Sequence, residues 1–566
     1  MTMIRQFVRY LSVTTIAGVA MLGTSAAFGD ESCGADAESP SALLGGPVQV
    51  PPGFVDETFS TDWDFAVGIE YLPDGRMLVF ERAGQVWMVE PDGNRAHDPL
   101  IDLREEIESA IDRGLMDVAI DPDFENNGYM YFYYQVDWYY HTQFGQPGYN
   151  PLLNQYNRAT FSRITRYTAL ASQDFTVIDP ASRTVIVGTD PQDGFPAVAP
   201  FHGIGSMFFG EDGSLIATCG DAASFNTNDM GGQVIGSYAG NAVADNIIRP
   251  AEDVGSWRAQ LVDSLAGKVL RFDPATGDGL ASNPFFDAAA PRAARSRVWA
   301  MGFRMPFRAA IRPGTGSPDI NVGDPGTIVL GDVGNNDFEE LNILPTGGLN
   351  CGWPAFEGLE ERGVFATANT PNQDYPNPDF NGGSCNVPYF RFRELIAQVS
   401  LDSSNDFPMP CNAGQQIPAS VPHFVHHRPA LEIGHFGLPA RVGIWTDGEP
   451  DEVILGEPGS PVSGSSFSGS AIIGGGWCPD ISFPAEYHDK FFFADYTYNY
   501  MRVAEFDGLN NLISIEPFAA NLHTFVYLSF NPTDGSIYYI RYPDEIRRIR
   551  YVGGNQPPVV VVAADQ

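Results

Sequence analysis

The stretch Phe201–Asp221, FHGIGSMFFGEDGSLIATCGD, is the most direct indication of how this chain folds. Within it, Ser206–Phe209 and Ser214–Cys219 are short, apolar and rich in residues that favour strands. Residues 211–213 between them read Glu-Asp-Gly, which is typical of a tight turn. The stretch therefore predicts a β-hairpin.

Two polar residues flank this predicted hairpin, His202 before its first strand and Asp221 just after its second. A hairpin returns its ends to each other, so the two side chains can meet. A carboxylate held against an imidazole fixes the tautomer and stabilises the cation, as a general base requires. A second interpretation stays open, in which both side chains only satisfy backbone groups of their loops.

Composition limits the classes of function. Hydrophobic residues make up 43% of the chain, and 60 glycines and 44 prolines indicate many turns, which favours an all-β protein. The formal net charge is −38, and the only lysines are Lys268 and Lys490. Such an acidic surface argues against nucleic acid as a partner and against anionic membranes.

The N-terminus has the pattern of a secretory signal peptide, predicted at residues 1–29. Arg5 and Arg9 give it a positive start, the run from Leu11 to Leu22 is largely apolar, and residues 24–27 (TSAA) suit cleavage. The run is too short to predict stable membrane insertion. We therefore expect a secreted or periplasmic protein, with residues 30–51 as a flexible lead-in.

The six cysteines all lie beyond this segment, in a compartment that permits disulfides. Their spacings match no zinc pattern, and six cysteines allow about 15 pairings, so the sequence alone assigns none. Cys385 and Cys411 flank one irregular insertion and are the first pair to test.

From residue 52 onward one unit recurs: an apolar strand, a turn containing Pro, Asp or Gly, and one or two further strands. Six such units suit a propeller, because each blade buries its faces against its neighbours. The sequence therefore predicts an all-β chain in which residues 52–552 form a six-bladed β-propeller with long loop insertions. The units are predicted at residues 65–89, 113–167, 206–277, 297–344, 469–508 and 525–552.

Two irregular regions accompany these units. The longest insertion is predicted at about residues 357–464, and residues 553–566 are predicted to be a linker or the start of a truncated immunoglobulin-like module. The same pattern of short strands leaves an alternative open, a pair of β-sandwich domains.

Several stretches form an ordered set along the chain: GLMDVAIDPDF (114–124), residues 202–221, LAGKVLRFDP (265–274), VWAMGFRMPFR (298–308), GDVGNNDFEELN (331–342), NCGWPAFEG (350–358), FFADYTYNYMRV and GSIYYIRYPDEIRRI. Together they resemble the glucose/sorbosone dehydrogenase family, soluble quinoproteins that carry pyrroloquinoline quinone (PQQ) on a six-bladed propeller. The family is close to hedgehog-interacting-type proteins, in which the same propeller serves binding, so the fold is the firmer implication.

The resemblance implies roles for individual residues. His202 falls where the family has its general base, which takes a proton from a sugar hydroxyl as hydride leaves the same carbon for the quinone, and Asp221 falls on its partner. Arg304 falls on the arginine that neutralises charge developing on the quinone oxygen. Gly334 and Asn335 fall in the loop whose backbone carbonyls bind the cofactor-associated Ca²⁺.

The chain departs from the family pattern at two cofactor positions. Where the family often has Arg-Asn-Pro, this chain has Arg304-Met305-Pro306, which removes an amide, and a second polar contact is changed at residues 111–113. The resemblance also implies a lysine and further arginines that hold the cofactor carboxylates in the fifth-blade region, where this chain has no lysine but Lys490. The residues predicted to contact PQQ are Arg113, Arg304, Met305, Gly334 and Asn335.

Two further polar groups in the sequence have simple interpretations. The acids Asp332, Asp337, Glu339 and Glu340 are predicted to belong mostly to an acidic surface. His423, His426 and His427 have no carboxylate or cysteine at ligand spacing, so they are predicted to lie in a solvated loop rather than at a metal.

The function that the resemblance implies is an exported, quinone-dependent dehydrogenase. It would oxidise a hydroxyl of a small sugar or polyol and pass the electrons to an external acceptor, with PQQ and Ca²⁺ as cofactors. His202 and Arg304 should then open on one central face of the ring. Two alternatives stay open: a non-catalytic propeller that binds a ligand or a protein and has lost the cofactor, and a Ca²⁺-dependent hydrolase or lactonase.

Overall fold

The structure is a computed structural model that describes residues 46–401 and 406–553. The predicted signal peptide at residues 1–29, the lead-in as far as residue 45 and the tail beyond residue 553 lie outside the described residues. Within the two described ranges, no helix is long and apolar enough to cross a membrane.

Six sheets form a ring around their innermost strands, as the sequence predicts. Each inner strand contacts the inner strands of both neighbouring sheets, and the sixth contacts the first, so the ring is closed. The fold is a six-bladed β-propeller. From blade 1 to blade 6 the inner strands are Ala66–Tyr71, Leu115–Ile120, Ile204–Phe209, Pro306–Ile311, Ile472–Trp477 and Phe525–Phe530.

The remaining strands of each blade follow outward by antiparallel pairing, apart from Ser463–Gly464, which pairs in parallel. Blade 1 adds Met77–Glu81, Gln85–Val89 and Ile101–Asp102; blade 2 adds Tyr129–Gln135, Thr160–Ala169, Ile178–Val187 and Phe195–Ala197; blade 3 adds Leu215–Cys219, Lys268–Phe272 and Val298–Met301. Blade 4 adds Ile328–Asp332, Phe338–Leu344, Leu431–Gly434, Arg441–Thr446 and Glu449–Ile454; blade 5 adds Phe491–Asp495, Tyr500–Phe506, Leu512–Ala520 and Ser463–Gly464; blade 6 adds Ile537–Arg541, Glu545–Tyr551 and Phe54–Ser60.

The insertions between these strands carry short elements only. Four small strand pairs lie in the insertion after blade 4's third strand: Phe356–Glu357 with Glu360–Glu361, Pro371–Pro376 with Tyr389–Arg391, Ile396–Ala397 with Phe424–Val425, and Pro408–Met409 with Asn412–Gln416. The α-helices of the described residues are Phe124–Asn127, Trp138–Gln143, Ala239–Ala244, Ala294–Arg297 and Gly363–Ala366.

The second strands of the blades are almost entirely buried because both of their faces are covered. Met77–Glu81 (MLVFE), Leu215–Cys219 (LIATC) and Phe491–Asp495 (FFFAD) are buried at every position. A strand between two neighbouring blades has no face in water, so its sequence is a continuous apolar run rather than an alternation. These short runs are the pattern from which the sequence predicts the propeller.

The ring is closed by the N-terminal strand. Phe54–Ser60 pairs antiparallel with Glu545–Tyr551 and becomes the outermost strand of blade 6. Ion pairs reinforce this pairing, since Arg548 lies 2.5 Å from Glu57 and Arg547 pairs with Asp56. Hydrogen bonds between the two ends of the propeller therefore hold its first and last blades together.

Several predicted unit boundaries are wrong. Blade 2 continues past residue 167 to Ala197, and blade 5 continues past residue 508 to Ala520. The predicted fourth unit begins at residue 297, but Val298–Met301 pairs with Lys268–Leu270 and is the outermost strand of blade 3. The predicted insertion at 357–464 contains three strands of blade 4, which pair in sequence outward from Phe338–Leu344. In the last two cases a long loop separates a strand from its partner in the sheet. A pattern read over a few neighbouring residues therefore does not indicate which sheet the strand joins.

Cys385 and Cys411, the pair that the sequence suggests testing first, form a disulfide across part of the insertion. Cys219, Cys351 and Cys478 are free and buried. The disulfide therefore belongs to the irregular segment rather than to the blades.

We expect the double variant Cys385→Ser/Cys411→Ser to lose about 2–4 kcal/mol of unfolding free energy in this insertion. The bond closes a loop of sequence separation 26, and its loss frees the unfolded segment. Urea denaturation with and without dithiothreitol measures the effect. Reduction should shift the wild type and leave the double variant unchanged; an equal response of the two proteins would contradict the prediction.

Candidate active site

His202 and Asp221 meet as the sequence predicts. His202 immediately precedes the inner strand of blade 3, Asp221 follows that blade's second strand, and the His202 Nδ1 lies 2.9 Å from the Asp221 Oδ1. Gly220 makes this approach possible, because a Cβ there would lie 2.5 Å from the His202 carbonyl oxygen. The two flanks of the hairpin therefore form one buried pair, and a glycine permits their contact.

The Asp221 carboxylate is completely buried and has a partner for each oxygen. Besides His202, Oδ1 accepts a bond from the Ala223 amide at 2.8 Å, and Oδ2 accepts one from Trp353 Nε1 at 2.7 Å. Burial alone would raise its pKa, but His202 and Arg304 outweigh that effect, so the pKa of Asp221 is lowered. Asp221 therefore stays ionised and accepts the Nδ1 proton of His202.

His202 is held as a neutral base. Burial, and next to it the positive charge of Arg304, lower the pKa of His202 below its ordinary value of 6.5, although Asp221 acts in the opposite direction. Its backbone has a positive φ of 51°, a conformation that non-glycine residues seldom adopt and that occurs often at functional sites. With Nδ1 donating to Asp221, the other ring nitrogen, Nε2, is the one with a free lone pair.

Arg304 precedes the inner strand of blade 4, the equivalent position to that of His202 in blade 3. Its amide donates to Asp332 Oδ2 at 2.9 Å, and its Nη1 donates to the Val333 carbonyl at 3.0 Å. The guanidinium carbon lies 5.6 Å from the centre of the Trp353 ring, whose Nε1 donates to Asp221. The Trp353 indole therefore contacts both Arg304 and the His202–Asp221 pair.

His202 and Arg304 line the same small cavity. Asn335 lines it too, and its side-chain amide lies 3.4 Å from Arg304. The volume is about 10 Å³, close to the space of one water molecule. The rest of the lining comes from Ser224, Phe225, Thr227, Asn228, Ser256, Trp353, Arg362 and Phe365.

Arg362 is a cation of this cavity that sequence reasoning missed. Its guanidinium lies 5.0 Å from the Trp353 ring centre, on the same indole as Arg304, and its Nη1 lies 3.0 Å from Glu357 Oε2. No local pattern marks Arg362, because it lies in the insertion that follows the third strand of blade 4. Its position nine residues after Trp353, which belongs to the NCGWPAFEG stretch, is the sequence feature that could have indicated it.

The loop after the second strand of blade 4 contains Gly334 and Asn335 and is organised by Glu357. Oε1 of this carboxylate accepts bonds from four successive amides, those of residues 335, 336, 337 and 338, at 2.6, 3.1, 3.1 and 3.3 Å. The N–H and C=O of a trans peptide point in opposite directions, so the carbonyls of residues 334–337 point away from Glu357. The carbonyls of residues 334–336 are oxygen ligands that the loop can offer a hard cation, whereas the carbonyl of Asp337 accepts a bond from the His435 amide at 3.0 Å.

Arg113 and Met305, two of the predicted cofactor contacts, do not line this cavity. The Arg113 guanidinium is used by the protein itself, pairing with Glu108 at 2.6 Å and donating to three backbone carbonyls. Beside it, burial raises the pKa of Asp112 to about 6, against the charges of Arg82, Arg113 and Arg304.

The predicted acidic surface is wrong for three of its four members, because Asp332, Glu339 and Glu340 are buried. Asp332 accepts bonds from the amides of Arg304 and Met305, and Glu339 accepts from Gly334 and His435. Burial raises the pKa of Asp332 and of Glu340. These acids hold the loops of blade 4 in place.

The predicted solvated histidine loop is also wrong at His426. Its ring is buried, stacks on Phe356 with centroids 4.4 Å apart, and burial lowers its pKa to about 3. Within residues 46–401 and 406–553, no three His, Cys, Asp or Glu side chains are arranged to hold a metal ion.

The charge of Arg304 should be measurable on His202 itself. Because Arg304 lowers the pKa of His202, Arg304→Met should move the titration of the His202 imidazole to higher pH. NMR of the protein with labelled histidine reports this without any activity. Arg104→Met, at an exposed arginine of blade 1, is the control; a His202 titration that moves equally in both variants, or in neither, would contradict the assignment.

The fold places the protein among six-bladed β-propellers, and sequence comparison makes the assignment more specific. The chain matches the family model described as Glucose / Sorbosone dehydrogenase over residues 63–383, and it belongs to that family. The matched range contains His202, Asp221, Arg304 and the Glu357 loop.

Individual relatives are distant. The chain is 25% identical to the HIPL1 protein of Arabidopsis thaliana over 46% of this chain and 35% of that protein. It is 24% identical to quinoprotein glucose dehydrogenase B of Acinetobacter calcoaceticus over 52% of each chain. The chain thus spans about half or less of the length of these relatives. A solved structure named glucose dehydrogenase is 15% identical, with a TM-score of 0.51 and coverage of 89% of this chain and 100% of that one, which shows the shared fold.

Proposed function

We propose that the protein is an exported, quinone-dependent dehydrogenase that oxidises a hydroxyl group of a sugar or polyol and delivers the electrons to an external acceptor. The main support for this proposal is the buried His202–Asp221 pair, in which Nδ1 of His202 lies 2.9 Å from Oδ1 of Asp221. His202 lines the same cavity as the cationic side chain of Arg304. A neutral imidazole with an oriented free nitrogen beside a fixed cation is an arrangement for removing a proton and stabilising the developing charge.

The residues around the cavity fit PQQ and Ca²⁺ by chemistry. PQQ carries carboxylates and quinone oxygens, for which Arg304 and Arg362 offer guanidinium donors, and the carbonyls of Gly334 and Asn335 offer oxygen ligands for Ca²⁺. The 10 Å³ cavity is far smaller than the cofactor. The side chains that cover it, Phe225 and Arg362 among them, must move apart for PQQ to bind.

The chain's own residues then have defined tasks. Nε2 of His202 accepts the proton of the substrate hydroxyl, and Asp221 holds Nδ1–H and stabilises the resulting imidazolium. Arg304 places a fixed positive charge beside the reacting centre. Trp353 and Phe365 give this cavity an apolar wall. PQQ, when bound, supplies the two-electron acceptor for the hydride that leaves the substrate carbon.

The small cavity and the fully used Arg113 favour a second candidate, a propeller that binds a ligand or protein and has lost the cofactor. Titration of chelated, dialysed protein with PQQ, with and without Ca²⁺, followed by calorimetry and dye reduction with aldoses, separates the two. Ca²⁺-dependent binding with sugar-dependent reduction supports the dehydrogenase. Folded protein that shows neither at about 100 μM PQQ supports the second candidate.

A further inference from the structure

A large cleft lies beside the candidate active site and is not used by the proposed reaction. It has a volume of about 740 Å³, within the range of pockets that hold a complete small ligand. Arg362 lines both this cleft and the small His202 cavity, so the two spaces are neighbours. We call it the acidic cleft; its walls are residues 357–364 on one side and residues of the 438–454 hairpin on the other.

The acidic cleft carries an excess of negative charge. Its carboxylates outnumber its two cations, Arg362 and Arg441, and belong to Asp337, Glu357, Glu360, Glu361 and Glu452. Arg362 is already paired with Glu357 at 3.0 Å, and Arg441 with Glu360 at 2.7 Å and Glu452 at 3.2 Å. Among the described residues, Asp337 and Glu361 have no ion pair with an arginine or lysine.

The lining of the cleft limits the kind of ligand. Asp337 and Glu361 both line it and, within the part of the chain that the structure describes, neither forms an ion pair with an arginine or lysine, so a cation here would be stabilised. Apolar surface is also exposed in the cleft, at Val364, Leu438 and Ile454. A ligand that fits is therefore cationic, with hydroxyl groups for the carboxylates and hydrocarbon faces for the apolar side chains.

We propose that the acidic cleft binds the protonated amino groups of an aminated oligosaccharide, one end of which passes Arg362 and reaches His202. The proposal rests on the proposed function, because it names the substrate class of the same site. A saccharide presents C–H faces and hydroxyls, and its ammonium groups complement the unpaired carboxylates. The acidic protein as a whole, with a net charge of −38, attracts the same class of ligand.

The direct test compares two probes of equal length on the full chain by calorimetry. A glucosamine tetrasaccharide should bind at least tenfold more tightly than the neutral glucose tetrasaccharide at low salt. The difference should shrink as NaCl is raised, because the cleft is open to solvent and its charges are screened. Equal affinity for the two saccharides at low salt would overturn the proposal.

Glu361 provides the matched variants, because it is exposed and its substitution leaves the core intact. Glu361→Gln should weaken binding of the aminated probe about twofold to fivefold, and Glu361→Lys should weaken it further, with the neutral probe unaffected. Glu125→Gln, on the short exposed helix of blade 2, is the control. Wild-type affinity for the aminated probe in Glu361→Lys would also overturn the proposal.

The outcomes separate this proposal from the proposed function. Selective, charge-dependent binding without any turnover supports the acidic cleft and contradicts the dehydrogenase. Turnover of neutral aldoses with no preference for aminated saccharides supports the dehydrogenase and contradicts the acidic cleft.

Discussion

His202→Ala should turn over its substrate about 10²–10⁴-fold more slowly than the wild-type protein, because that is the range for loss of a general base. The expectation follows from Nε2, which lines the cavity while Nδ1 donates to a fully buried carboxylate at 2.9 Å. Without the imidazole, the substrate proton has no acceptor other than water. The measurement is kcat with the protein saturated in PQQ and Ca²⁺.

Folding should change little in this variant, because the His202 ring makes one hydrogen bond and lies at a cavity rather than within a blade. His423→Ala is the matched control, since His423 bonds only to the nearby Val421 carbonyl and lies outside the cavity. Unchanged kcat in a folded His202→Ala protein would show that the hairpin pair is structural. Comparable losses in both variants would point to a general effect on folding.

The hairpin and its pair are predictable from the sequence because their determinants are local. The two apolar runs and the turn at residues 211–213 specify the pairing of Ile204–Phe209 with Leu215–Cys219. Once that pairing is given, the residues just outside its ends must lie together. The six units are predictable for a related reason, since each blade is itself built from hairpins.

The rest of the site could not be predicted, because distant segments bring it together. Trp353 reaches Asp221 from 132 positions along the chain, and Arg362 and Glu357 belong to the insertion that follows the third strand of blade 4. The pairing of the N-terminal strand with blade 6 could not be predicted either, since its partner strand lies at the other end of the chain. None of these contacts is marked in the sequence by a periodic pattern or by a characteristic spacing of residues.

The buried acids of blade 4 show a different limit. Acidic residues are seldom buried, so a cluster such as Asp332, Glu339 and Glu340 is ordinarily interpreted as surface. The structure buries them because neighbouring backbone amides need acceptors inside the blade: Asp332 and Glu339 each accept two of these bonds, and Glu340 accepts one. The sequence contains the carboxylates, but the amides they serve become apparent only in the folded chain.

The largest effect on the loop itself is expected for Glu357→Ala. Oε1 of Glu357 accepts bonds from four successive amides of residues 335–338, and Oε2 faces Arg362 at 3.0 Å. Removal of a buried, paired carboxylate of this kind costs about 3–5 kcal/mol of unfolding free energy. The amides lose their acceptor, and the loop carbonyls lose the fixed orientation on which Ca²⁺ binding depends. Ca²⁺ affinity should therefore fall about 10–100-fold.

Two variants and two measurements make this expectation decisive. Glu357→Gln keeps an oxygen for the four amides and loses the charge beside Arg362, so its losses of stability and of Ca²⁺ affinity should be intermediate. Glu125→Gln, on the short helix of blade 2 and outside both cavities, should leave both at their wild-type values. Calorimetry with Ca²⁺ alone on chelated protein measures the affinity, and urea denaturation measures the stability. Wild-type stability in Glu357→Ala would show that the loop does not depend on this carboxylate. If stability falls while Ca²⁺ affinity stays at the wild-type value, Glu357 supports the blade but does not position the loop carbonyls.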